Sequence, residues 1–297
     1  MSTPMNSATP APTPFVAPDF LPPALQQALA GGRRWTTPCG DGLMVWHDWG
    51  DAHHPAVVLL HGGSGSWTHW VRNITPLVNA GWRVLVPDLP GFGDSHLPLG
   101  CTDAPHLPAY LHQGLAQLAP QGPVRVVGFS FGGMTAALWL QDYPQDAQQL
   151  VLVGAPGMGV TVPERIPLKG WRHLPSAAQR DAVHRHNLLA LMLQHSESLD
   201  DLALDLHRAN TTRDRMPRRR LSGTAIVAET LPHLQARVSA IYGAHDALYT
   251  GRLPEVQALM AQCARHWGSW HTVPDAGHWV QFEAAPAFDA VLQQVLR

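Results

Sequence analysis

Val124-Arg125-Val126-Val127-Gly128-Phe129-Ser130-Phe131-Gly132-Gly133 is an apolar strand pattern that enters a Gly-x-Ser-x-Gly turn and continues into a helical pattern, Phe131 to Tyr143. A serine at a tight strand-to-helix turn has strained backbone angles, so the residues two positions away must lack side chains that would clash. Such a nucleophile elbow lifts the Ser130 hydroxyl to the edge of a sheet. The helix that starts there also aims its unpaired first-turn N–H groups at the same spot, where an oxyanion could be stabilised. Alone the motif is weak, because glycine-flanked serines also occur in ordinary turns.

Outward from this stretch, short apolar runs recur at Ala56–Leu60, Arg83–Val86, Gln149–Val153 and Val238–Tyr242, as expected of strands covered on both faces. Helical patterns separate them at Trp70–Ala80, His106–Ala119 and Phe131–Tyr143. This alternation predicts an α/β fold with a doubly wound, mostly parallel sheet, whose functional groups lie in loops at the carboxyl ends of its strands. Upstream, Arg33–Thr37 and Leu43–Trp49 flank the turn Cys39-Gly40-Asp41-Gly42 and predict an antiparallel hairpin. Between Pro156 and about Pro232 the alternation stops, and prolines, arginines and helix-like segments replace it. Residues 156–232 are therefore read as an inserted helical cap that shapes a pocket and excludes water. Residues 21–155 and 233–297 form the core domain, and residues 1–20 are expected to be a disordered, proline-rich tail.

A serine hydroxyl needs a base to take its proton, and the base needs a third group to hold its tautomer. Two strand ends downstream supply both: Ile241-Tyr242-Gly243-Ala244-His245-Asp246 and Val273-Pro274-Asp275-Ala276-Gly277-His278-Trp279. The order serine, acid, histidine assigns Asp246 as the orienting acid and His278 as the general base. Asp275 is the competing acid, too near His278 in the same short loop to reach its far ring nitrogen easily, and His245 is the competing base. The glycine-rich run His61-Gly62-Gly63-Ser64-Gly65-Ser66 leaves another strand, and its glycines let backbone N–H groups come close to a negative oxygen. The oxyanion hole is assigned to the N–H groups of Gly63 and Phe131. His61 reads as a structural residue of that loop, and Gly91-Phe92-Gly93 as a loop support.

Composition narrows the partners. A chain of 297 residues, 45% apolar and 14% charged, can bury a sizeable core. Its net charge of −2 gives no field that would attract nucleic acid or an anionic membrane. Cys39, Cys101 and Cys263 are far apart, without disulfide or zinc spacing, which fits a reducing cytoplasm. No apolar stretch approaches the roughly 20 residues needed to cross a bilayer. The expected partner is a small-molecule substrate, with no metal or organic cofactor, and a homo-oligomer stays open.

The joint pattern of His61-Gly62-Gly63, Asp88-Leu89-Pro90-Gly91-Phe92-Gly93-Asp94-Ser95, Gly128-Phe129-Ser130-Phe131-Gly132, Asp246 and Gly277-His278 resembles the α/β-hydrolase superfamily over nearly everything after residue 33. The resemblance implies a triad hydrolase, and its serine sets it apart from the dehalogenase and epoxide hydrolase branches, which use aspartate at the elbow. Arg72-Asn73, Ala80-Gly81-Trp82-Arg83-Val84 and Gly277-His278-Trp279 are similar to the meta-cleavage product hydrolases, which cut carbon-carbon bonds in ring-opened aromatic compounds. That branch usually carries asparagine where this chain has Phe129, and a longer oxyanion loop containing proline.

Pocket residues are read from position. Ser64, Trp67, Trp70, Phe129 and Trp279 lie in or beside the proposed loops. In the cap, Arg213 or Arg215 is preferred as a clamp for a substrate carboxylate, because Arg218-Arg219-Arg220 looks like a solvated face. The expected reaction is hydrolysis of a small to medium, apolar carboxylic ester through an acyl-enzyme on Ser130. Two alternatives are carbon-carbon cleavage of a vinylogous diketone acid and a non-catalytic ligand-binding protein on a hydrolase fold.

Overall fold

The computed structural model describes residues 11–297 except Thr161 and Pro163. Among the described residues, nine strands form one sheet: β1 (Thr13–Pro14), β2 (Arg33–Cys39), β3 (Gly42–Trp49), β4 (Ala56–Leu60), β5 (Arg83–Pro87), β6 (Val124–Phe129), β7 (Ala147–Val153), β8 (Arg237–Gly243) and β9 (Trp267–Val273). Their order is β1-β2-β3-β5-β4-β6-β7-β8-β9. The predicted hairpin is present, with Cys39 opposite Gly42. β3 pairs antiparallel with β5, and every pairing from β5 to β9 is parallel.

The helices are α1 (Pro23–Ala28), α2 (Ile74–Asn79), α3 (Pro108–Leu118), α4 (Phe131–Asp142), α5 (Ala177–Asn187), α6 (Asp201–Thr212), α7 (Ile226–Thr230), α8 (Leu253–Cys263), α9 (Val280–Glu283) and α10 (Ala285–Leu296). Alternate strand residues face opposite layers, as a period of two requires. Val58, Leu60, Val126, Leu150 and Leu152 enter a core with α3, α4 and α7. Val57, Leu59, Val127, Val151 and Val153 enter the other, with α2, α9 and α10. Helix α4 is buried continuously from Phe131 to Leu140, which explains why its apolar residues show little one-sided pattern.

Several expectations are corrected. Residues 1–10 of the expected tail lie outside the described residues, but Thr13 and Pro14 pair with Arg34 and Arg33. Phe15 follows and packs edge-on against Trp49 and Trp67, with ring centroids at 5.0 and 5.1 Å. The aromatic anchor outweighs the disorder signature of the flanking prolines. The helix expected from Trp70 to Ala80 divides into a 3-10 turn, Trp67–Trp70, and α2. Pro76 has no N–H to donate to Arg72, so it is accommodated in the first turn of α2, where no intrahelical bond is required, and the helix begins at Ile74. For the same reason α3 starts at Pro108, after a separate turn at Ala104–His106.

The insertion after β7 is helical, and α5 carries a full capping box in which Ser176 and Gln179 bond each other's backbone N–H. Its end differs from expectation. Val227, Leu231 and Leu234 are fully buried in the core with α4 and α8, so α7 is the crossover helix between β7 and β8 and belongs to the core around the sheet.

One buried polar link ties α2 to α10. Asn73 Nδ2 donates to Asp289 Oδ1 at 2.8 Å, and burial raises the Asp289 carboxyl from 3.8 to about 6. A folded-state value above the unfolded one means that the folded chain keeps a proton which the unfolded chain releases. Stability from this group is thus full below about pH 4 and falls as pH rises to about 6. Asp289→Asn keeps the acceptor and removes the titration. Its Tm relative to the parent should climb between about pH 4 and 6 and level off above; a flat difference in calorimetry across that range would disprove this.

Candidate active site

The three residues of the proposed triad stand at the carboxyl ends of β6, β8 and β9. Ser130 has φ of 50° and ψ of −119°, the strained geometry expected of an elbow. Its flanking glycines are required by space: a Cβ at Gly128 would lie 2.6 Å from the Gly132 carbonyl oxygen, and one at Gly132 would lie 2.5 Å from the carbonyl oxygens of Leu60 and His61. Gly243 has the same purpose between the other two loops, since a Cβ there would meet the Gly277 carbonyl at 2.1 Å.

His278 Nε2 lies 3.0 Å from Ser130 Oγ, and Nδ1 lies 2.9 Å from both carboxylate oxygens of Asp246. His278 and Asp246 are buried, with 2% and 1% exposure, so the pair is shielded from water, while Ser130 is only half-buried. Asp246 is also held by the Leu248 N–H at 2.9 Å. Gly154, at the end of β7, completes the floor: its absent Cβ would stand 3.0 Å from Asp246 Oδ2. The competitors are elsewhere. His245 and Asp275 are exposed, and the Asp275 carbonyl accepts from His195.

Gly63 and Phe131 both face the cavity in front of Ser130. The Phe131 N–H is the first of α4 and has no intrahelical partner, and no described acceptor takes the Gly63 N–H. Their loop is braced by two neutral imidazoles. His61 Nδ1 bonds the Gly62 carbonyl at 2.8 Å and Nε2 accepts from Leu89 N–H at 2.9 Å, while burial lowers its pKa from 6.5 to about 4. His69 Nδ1 accepts from Gly62 N–H at 3.2 Å, and burial holds this ring well below the usual histidine range. His61 is thus structural, as its position implied, and His69 was not foreseen.

The cavity has a volume of about 710 Å³. Core residues Ser130 and Phe129 meet cap-side Met158, Leu191, Met192 and Arg219 in its wall. Of the expected pocket residues, Ser64 and Phe129 are in the lining of this cavity. The tryptophans are not. Trp67 packs among Phe15, His47 and Trp49, Trp70 is fully buried beside Phe288, and Trp279 stacks on Phe282 while its Nε1 donates to the His69 carbonyl. Large rings next to the loops fill the space beneath them instead of lining the cavity.

The arginine expectation also changes. Arg213 pairs with Asp94 at 2.9 Å, and Arg215 donates to the carbonyls of Gly93 and Ser95. Arg219, from the run read as solvated, stands in the wall instead. It pairs with Asp214 at 3.0 Å, and its guanidinium carbon lies 5.0 Å from the Phe92 ring centroid and 5.5 Å from that of Phe131. Asp214, five residues earlier, was the available sign that one arginine of the run is drawn inward.

A family model described as alpha/beta hydrolase fold matches residues 55–285. The chain belongs to the α/β-hydrolase family. Among curated relatives, 2-hydroxy-6-oxo-6-phenylhexa-2,4-dienoate hydrolase of Burkholderia cepacia is 28% identical over 247 residues, covering 79% of this chain and 85% of its own. The 2-hydroxy-6-oxononadienedioate/2-hydroxy-6-oxononatrienedioate hydrolase 1 of Pseudomonas putida is also 28% identical, over 256 residues that cover 81% and 87%. Among solved structures, the meta-cleavage product hydrolase from Pseudomonas fluorescens IP01 superposes with a TM-score of 0.68 at 22% identity, covering 88% of this chain and 96% of that one. Serine hydrolase CCSP0084 from Cycloclasticus zankles gives 0.69 at 20% identity, covering 89% and 97%. This α/β-hydrolase is therefore a hydrolase of the same fold as these proteins. Among the described residues, no helix is long and apolar enough to cross a membrane.

Proposed function

We propose that this chain is a serine hydrolase that cleaves small to medium, largely apolar carboxylic esters through an acyl-enzyme. The observation that carries the reading is the line Ser130 Oγ, His278 Nε2, His278 Nδ1, Asp246, with gaps of 3.0 and 2.9 Å, beside a cavity with two unpaired amides. Ser130 attacks the carbonyl carbon while its proton passes to His278 Nε2, and Asp246 stabilises the imidazolium that forms. The N–H groups of Gly63 and Phe131 hold the tetrahedral oxyanion. Collapse transfers the proton from His278 to the leaving alcohol; water, activated by the same ring, then releases the acid.

The largely apolar wall, in which the charged residues Glu164, Arg165 and Arg219 are of both signs, supports an apolar substrate. Phe129, Met158, Leu191 and Met192 form apolar walls, and the Arg219 charge is already balanced by Asp214. The second reading, cleavage of a ring-opened dienoate at a carbon-carbon bond, is favoured by the names of the 28%-identical relatives. In it the substrate carboxylate takes part of Arg219 from Asp214.

Competing assays separate the two. Para-nitrophenyl acetate, butyrate and octanoate are offered alongside a 2-hydroxy-6-oxo-dienoate, and kcat/KM is compared. Ester turnover at least about tenfold better than dienoate turnover is the expected result, a preference of about 1.4 kcal/mol. The reverse ratio would transfer the assignment to carbon-carbon cleavage. Turnover of neither, together with no fluorophosphonate adduct on Ser130, would leave a binding protein.

A further inference from the structure

Ser64, next to the oxyanion residue Gly63, has φ of 51°, a left-handed backbone conformation that serine rarely adopts. Its hydroxyl is not turned to water. Ser64 Oγ donates to Asp214 Oδ2 at 2.5 Å, across 150 residues of sequence, and accepts from Arg219 Nη2 at 3.2 Å. Asp214 is fixed in turn by Arg219 Nη1 at 3.0 Å and by the Met216 N–H at 2.9 Å, with its side chain only 9% exposed. The same short cap segment grips the neighbouring core loop, since the Arg215 N–H donates to the Gly91 carbonyl at 2.9 Å and Arg213 pairs with Asp94.

We propose that Asp214, clamped by Arg219, is a positioning residue of the oxyanion hole: by holding Ser64 in its left-handed conformation, it aims the Gly63 N–H into the cavity. The inference rests on the serine hydrolase reading above. It also makes the hole a joint product of core and cap. Gly63 and Ser64 come from the loop after β4, while the carboxylate that fixes their backbone comes from the segment after α6. A cap that is not seated leaves Ser64 free to relax toward ordinary backbone angles. The Gly63 amide, whose own peptide is held through the Gly62 carbonyl by His61 Nδ1 at 2.8 Å, then loses the support on its Ser64 side, and its aim at the reacting carbonyl loosens even though the triad is intact. Asp214 is outside the cavity wall, but Asp214→Asn also unpairs the wall residue Arg219, so Ser64→Ala, which leaves that ion pair intact, is the variant that separates transition-state stabilisation from substrate binding.

The test measures the rate at which a fluorophosphonate labels Ser130, followed by intact-protein mass spectrometry, in the parent, Ser64→Ala, Asp214→Asn and the double variant. The tetrahedral phosphonate oxygen occupies the same hole as a carboxyl oxyanion. Each single variant should label about 10- to 100-fold more slowly, below the full loss of one oxyanion donor because the amide is misaimed and not removed. In ester assays of Ser64→Ala kcat should fall by a similar factor with KM little changed. The double variant should be no slower than the slower single, the non-additivity of one coupled unit. Ser64→Ala removes a single hydroxyl and keeps the experiment decisive if Asp214→Asn folds poorly. Labelling of both variants at the parent rate, a rise in the KM of Ser64→Ala with kcat unchanged, or additive losses would each overturn the proposal. Absence of labelling in the parent itself would instead mark failure of the hydrolase reading.

Discussion

Ser130→Ala is expected to lower ester turnover by about 10⁴-fold or more and to abolish fluorophosphonate labelling, while leaving the thermal transition almost unmoved. The size of the effect follows from the geometry. His278 and Asp246 keep their 2.9 Å contact in the variant, but the base then has no hydroxyl to deprotonate. What remains is the oxyanion hole and the cavity, which in comparable sites supply only about 10³- to 10⁴-fold over water. The backbone strain at φ of 50° is carried by the flanking chain, through the Ser130 N–H to the Val153 carbonyl at 2.8 Å, and alanine inherits it. Loss of turnover with an unchanged Tm assigns the defect to chemistry. Turnover that survives in the purified variant would remove Ser130 from the mechanism.

Much of the fold could be read because it is written locally. The apolar runs of β4 to β8 and the glycines of the elbow are short-range patterns, fixed by burial on both faces and by the clash a Cβ would cause. The proposed triad was readable for a related reason: each member sits in the turn or loop that leaves a strand, and parallel strands place their carboxyl ends along one edge. Asp246 and His278, 32 residues apart in sequence, therefore meet without any long-range signal being needed.

The cavity wall follows other rules. Trp67, Trp70 and Trp279 are close to the site in sequence, yet side-chain direction decides whether a ring lines a cavity or lies beneath it, and their loops turn all three inward. The arginines differ through tertiary pairing alone. Arg213, Arg215 and Arg219 have the same chemistry, and only the positions of Asp94, the loop carbonyls and Asp214 determine which guanidinium reaches the cavity. The N-terminal segment shows the same limit, since prolines around Phe15 look disordered until Trp49 and Trp67 provide a socket. His69 could not be recognised because its use is to accept one backbone N–H, from Gly62, and nothing in residue spacing reports that.

Asp246→Asn should be nearly as damaging as loss of the nucleophile, with kcat falling by about 10⁴-fold and KM staying within about threefold. Asparagine is isosteric, so the effect comes from a proton and not from packing. Asp246 Oδ1 accepts from the Leu248 N–H at 2.9 Å, and Oδ2 lies 2.9 Å from His278 Nδ1. An amide that keeps its oxygen on Leu248 must present its NH₂ to His278. Nδ1 then has to accept, the ring takes the Nε2–H tautomer, and the atom 3.0 Å from Ser130 Oγ becomes a donor that cannot remove the serine proton. The buried carboxylate that would stabilise the imidazolium is also gone. Because Asp246 is not part of the cavity wall, substrate binding has no reason to change. An Asp275→Asn variant provides the comparison. Its carboxylate is exposed and its loop residue stands at φ of 52°, so it should retain parental kcat. If steady-state kinetics instead gave the large loss to Asp275→Asn and spared Asp246→Asn, the orienting acid would be Asp275, and the contact between β8 and β9 loops would be structural.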